Sequence, residues 1–101
     1  MALITAQDLA DELHIDSSPV ELATLGTLIK DASAIIRGSI DSQLTEQAAL
    51  ELASEQFNRL VGSVASSLYY DRALTSGFSH GQMLILQQLM GIIKGGANDN
   101  V

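Results

Sequence analysis

The residues best able to do chemistry lie between positions 14 and 17, where His14-Ile15-Asp16-Ser17 sets an imidazole, a carboxylate and a hydroxyl within four positions. An imidazole oriented by a carboxylate is half of a general-base pair. A serine at the start of a helix can carry a covalently attached group. The second histidine, His80, has no His or Cys at ligand spacing, and with no cysteine in the chain there is no thiolate metal site, disulfide or Cys nucleophile. Gly26, Gly38, Gly62 and Gly91 stand at no phosphate-loop spacing. Asp11 and Glu12 are adjacent, so a helix turns them in different directions. The expectation is a protein that is not an enzyme, holds no metal and uses no cofactor.

Helices must position these residues. Thr5 has the N-cap type, with Asp8 at the capping-box position and Ile4 and Leu9 as a hydrophobic staple, and the helix it opens ends near His14. In Asp16-Ser17-Ser18-Pro19, Ser18 caps, the only proline takes the first helical position and Glu21 completes the box. The capping turn therefore accounts for His14 to Pro19 without catalysis. Leu22, Leu25, Leu28, Ile29, Ala32, Ile35, Ile36 and Ile40 then hold a 3.6-residue period and predict a long second helix.

Between Asp41 and Ser54 two starts compete, one at Thr45 before Glu46, the other at Ser54 before Glu55. From Glu55 the stripe Phe57, Leu60, Val61, Val64 and Leu68 is firm, extends back through Ala53 and Leu50 if the helix is continuous, and predicts a third helix ending near Thr75-Ser76-Gly77. Ser79 caps a fourth helix, with Gln82 at the box position and Phe78 and Met83 as staple, running from His80 to Lys94. The sequence predicts an all-α fold: a small bundle of about four helices with two long central ones, one domain over 1–94 and a mobile tail over 95–101.

Composition narrows the function. Of 101 residues, 47% are hydrophobic and 4% aromatic, so the core is aliphatic, and the net charge of -7 opposes adhesion to phosphate backbones. No stretch reaches the ~18 apolar residues of a membrane span, and the first residues carry no basic, apolar signal pattern. A soluble, intracellular protein is expected. On the third helix the face opposite the core stripe carries Arg59, Gly62, Ser63, Ser66 and Tyr70; it is either a plain polar surface or a packing face with Tyr70 as anchor. On the fourth, Met83, Leu86, Leu89, Met90 and Ile93 fill one face while Leu84, Ile85 and Ile92 fall outside it, which favours a partner there.

The order of these pieces resembles the head-tail connector, or head-completion adaptor, proteins of tailed bacteriophages. The residues that carry the resemblance are the first helix with Leu9 and Leu13, then Ile15-Asp16, the long helix with Leu25, Leu28-Ile29, Ala32 and Ile35-Ile36, and the segment Leu60-Val61 to Leu68-Tyr69-Tyr70-Asp71-Arg72. It implies a ring of identical subunits at the virion head-tail junction, assembled in the bacterial host cytoplasm. The partners it implies are the portal protein, a downstream head-completion or tail protein, and DNA only as non-specific cargo through the channel. Arg59, Ser66, Tyr70, Ile85 and Ile92 are the candidate subunit contacts, and Ile15, Asp16, Tyr69 and Arg72 the positions that match the family pattern. Tyr69 and Arg72 would close the third helix, although Arg72 also reads as a plain helix-end cation. Two other readings stand: a carrier of the acyl-carrier kind loaded at Ser17, and a helical regulatory module.

Overall fold

The structure, a computed structural model, describes residues 2–75 and 77–97. Four helices follow one another: α1 (Ala6–Leu13), α2 (Pro19–Ile40), α3 (Glu46–Tyr70) and α4 (His80–Ala97). The all-α bundle expected from the sequence is what is found, with no strand among the described residues. α3 is the centre. It packs against both α2 and α4, while α1 lies across α2 and touches α3.

Two of the three start signals act as read; at α2 Ser18 caps without the expected box, because the Glu21 carboxylate accepts from Tyr69 instead. The Thr5 hydroxyl accepts from the Asp8 amide at 3.0 Å and the Asp8 carboxylate accepts from the Thr5 amide at 3.1 Å, a reciprocal box. Ser18 accepts from the Glu21 amide at 3.3 Å with Pro19 as first helical residue. Ser79 and Gln82 form the same box on α4: the Gln82 amide donates to the Ser79 hydroxyl and the Ser79 amide to the Gln82 side chain. α1 stops at His14, which takes the left-handed conformation (φ 58, ψ 40) while Ile15 donates back to the Ala10 carbonyl at 2.9 Å and packs on the core.

Of the two competing starts in the 41–54 stretch, the first is a capped helix start and the second coincides with a break inside the helix. α3 begins after Thr45, which accepts from the Ala48 amide at 3.1 Å, and it breaks at Ala53 (φ -155, ψ 56), immediately before Ser54-Glu55. Two helices are joined across a kink, so the ambiguity in the sequence is the kink itself. The first half is held by a polar tie to α2. Ser33, fully buried, donates to a Glu46 carboxylate oxygen at 2.9 Å and accepts from Arg37 at 3.1 Å; Arg37 also donates to the Leu44 carbonyl, and Lys30 lies 3.5 Å from Glu46.

Two boundaries and three burial expectations need correction. α3 ends at Tyr70, not near Gly77, because Asp71 turns the chain: its carboxylate accepts from the Thr75 amide at 2.8 Å and from the Thr75 hydroxyl, and tight turns close from Leu74 to Asp71 and from Gly77 to Leu74. Leu74 and Gly77 both have positive φ there. α4 runs past Lys94 to Ala97, so part of the segment set apart as a tail is helical; residues 98–101 lie outside those described. Ile35 and Met83, assigned to core stripes, are 38% exposed, and Leu22 is half-buried. The core is built from Leu9 and Ala10 of α1, Leu25, Leu28, Ile29, Ala32, Ile36 and Ile40 of α2, Ala49, Leu50, Ala53, Phe57, Leu60, Val61, Val64, Ala65 and Leu68 of α3, and Leu86, Leu89 and Ile93 of α4.

Candidate functional site

The outward face of α3 is the floor of a groove between α1 and α4. Leu9, Glu12 and Leu13 of α1, with Ile4, form one wall; Ser79, Gln82 and Ile85 form the other; Arg59, Ser63 and Ser66 lie on the floor. Its volume is about 720 Å³. A second hollow lined by Tyr70, Leu74 and Gly77 shares Ser66, Ser67 and Ser79 with it, so the depression runs on to the end of α3. From Asn58 to Tyr70 the floor spans thirteen residues, roughly 18 Å at 1.5 Å per step.

Four of the five candidate contact residues meet on this surface. Arg59, Ser66 and Ile85 line the main groove and Tyr70 its continuation. Tyr70 is 72% exposed, its ring edge-on to Tyr69 with centroids 5.1 Å apart. Ile92, 38% exposed, lies two turns beyond Ile85 on the same flank of α4, and Leu84 is 49% exposed. Apart from Lys94 and the His80 imidazole at its start, α4 carries no titratable side chain, and its other exposed residues are Gly, Gln, Met83, Leu84 and Ile92. A solvated helix normally carries Glu and Lys there.

Part of the small, hydroxyl-rich face is used within the chain. Gly62 is buried, because the segment before α1 crosses it: a Cβ on Gly62 would stand 3.2 Å from the tip of Ile4. Asn58 holds that segment, accepting from the Ile4 amide and donating to the Ala2 carbonyl, both at 2.9 Å. Gln82 donates to Ser63 at 3.0 Å and to Ser67 at 2.9 Å. What stays open to a partner is Arg59, Ser66 and Tyr70. Asn58 gave no signal in the sequence, but Gln82 did: it falls in phase with Leu86, Leu89 and Ile93, a polar residue on an apolar stripe.

The family-pattern positions lie elsewhere. Ile15 packs on the core and Asp16 is exposed in the α1–α2 turn. Tyr69 donates its hydroxyl to Glu21 at 2.7 Å, tying the end of α3 to the start of α2; that hydrogen bond to a carboxylate is the main reason its pKa is raised above the ordinary tyrosine value. Arg72 is exposed beyond the end of α3, beside a shallow hollow shared with Asp31 and Ile35. The Asp71 carboxyl is held below its usual range by the hydrogen bonds from Thr75.

His14, Asp16 and Ser17 do not converge on one site. His14 is exposed at a helix end, and Ser17 accepts from the Gln7 side chain at 2.8 Å in the turn that Ser18 caps. No group of His, Asp or Glu able to hold a metal ion occurs among the described residues, and no described helix is long and apolar enough to cross a membrane. No protein-family model, no curated protein and no solved structure matches this chain.

Proposed function

We propose that this chain is a structural adaptor of a tailed phage or prophage, forming a homo-oligomeric ring beneath the portal that joins head to tail and leaves a channel for DNA. The observation that carries the reading is the convergence of Arg59, Ser66, Tyr70 and Ile85 on one open groove, beside a helix whose outward face is almost free of charge. The resemblance of Ile15-Asp16 and of Tyr69 to Arg72 to the connector pattern supplies the phage context. The role needs no active site. A net charge of -7 suits a protein that surrounds a duplex without holding it, since adhesion to DNA comes from Lys and Arg displacing counterions.

The experiment is negative-stain microscopy of the concentrated protein, alone and with a portal, for the wild type and for Tyr70→Asp. Closed rings with a central hole are expected for the wild type. Tyr70 is mostly exposed, so the substitution leaves the monomer folded while placing a charge on the proposed contact. Normal rings from Tyr70→Asp would remove Tyr70 from the contact; absence of rings from the wild type under both conditions would overturn the function.

A further inference from the structure

We propose that the groove is filled by α2 of a second copy of this chain, so that the outward ridge of α2 on one subunit lies between α1 and α4 of the next. The inference rests on the ring reading and names its two joining faces. Val20, Ala23, Thr27, Ala34 and Gly38 fall along one line of α2 at 100° per residue, and all are exposed, Val20 at 74%. This ridge is small and largely apolar, whereas a helix facing water would carry long charged side chains there. The groove floor is small as well at Ser63 and Ser66, and its walls are aliphatic at Leu13 and Ile85. Two helices that present small residues to each other approach at the short end of the ~8–10 Å range of interaxial distances.

Charge fits the same pairing. The ridge has Lys30 on one flank and Asp31 on the other, a turn of 100° apart. The groove has Glu12 on its α1 wall and Arg59 on its floor. Among the described residues none of Glu12, Arg59 and Asp31 is in an ion pair, and Lys30, 70% exposed, makes only the 3.5 Å contact with Glu46. Acid and base on the groove thus meet base and acid on the ridge. The ridge, from Val20 to Gly38, is roughly 27 Å long and covers the ~18 Å groove.

Placement decides the symmetry. α2 packs on the buried face of α3, and the groove is on the opposite face, so ridge and groove point away from each other. A contact between two different patches is head-to-tail, and it propagates until the rotation closes a ring.

The test uses two blocked variants. Ser66→Trp fills the groove and Ala34→Trp spoils the ridge; circular dichroism checks that each is folded, and sedimentation velocity and sedimentation equilibrium report assembly. Each variant alone is expected to stay monomeric, and their mixture to give 1:1 dimers and nothing larger, since only one productive contact remains. A charge pair supplies a second route: Arg59→Glu weakens self-association about tenfold and Asp31→Lys in the same chain restores it. If the wild type assembles and both Trp variants assemble equally well, or if their mixture stays monomeric, the two faces are wrong while the ring reading survives. A wild type that remains monomeric to about 1 mM, where contacts of millimolar Kd are populated, and that forms no ring with a portal either, overturns both.

Discussion

Gln82 joins α4 to α3 through its side chain, and replacing it by methionine measures what that junction contributes. The residue is 4% exposed; its amide donates to Ser63 and Ser67, and its carbonyl accepts from the Ser79 amide. Met has nearly the same helix propensity and size, so Gln82→Met leaves the helix and the volume intact and removes the three bonds. At about 1 kcal/mol for each neutral hydrogen bond the loss is about 3 kcal/mol. The greater apolarity of a buried thioether returns about 1 kcal/mol, leaving a net destabilisation of about 2 kcal/mol. For a domain of this size that lowers Tm by roughly 8–16 °C. Thermal and urea unfolding followed by circular dichroism provide the measurement. The triple variant Ser63→Ala, Ser67→Ala, Gln82→Met should recover most of the loss, because the hydroxyls orphaned by the single change are gone. A Gln82→Met protein within about 0.5 kcal/mol of the wild type would refute the argument that a polar junction holds α4 in place.

Three further outcomes are expected. His14→Gly should raise the urea midpoint by the equivalent of about 0.5–1 kcal/mol, since His14 is exposed and left-handed, a conformation glycine adopts without the Cβ penalty. Gly62→Ala should change stability by less than about 1 kcal/mol, because the gain in helix propensity offsets a small push on the flexible tip of Ile4, whereas Gly62→Leu displaces that segment and costs about 1–3 kcal/mol by chemical unfolding. Tyr69 has its pKa raised in the folded chain, so its tie to Glu21 is complete below the ordinary tyrosine value and is lost as pH rises through the folded one. An absorbance titration should show one tyrosine ionising late, and Tyr69→Phe should abolish that late phase.

Much of the fold was legible because its signals are local. Thr5, Ser18 and Ser79 each cap a helix with the expected partner three residues on, and the 3.6-residue stripes of α2 and α3 identify most of the core. The end of α3 was not legible. Gly77 does adopt positive φ, but the helix had already been stopped by Asp71, whose carboxylate captures Thr75, and nothing in the residue types distinguishes an Asp that terminates a helix from one on its surface. The groove was half legible. Arg59, Ser66 and Tyr70 were visible as a helix face of low charge and odd composition, yet the disposal of Gly62 beneath Ile4 and of Ser63 and Ser67 beneath Gln82 depends on segments 58 and 15–19 residues away in sequence. Such pairings follow from topology, and a single helix face cannot announce them.

Asn58 grips the chain at Ala2 and Ile4 and is itself a lining residue of the groove. Anything fused ahead of Ala2 therefore emerges over the groove proposed to receive α2 of the next subunit. An affinity tag in that position would act as a steric plug, and its proteolytic removal would register as an apparent switch from single subunits to assemblies, with no change in the protein's own fold.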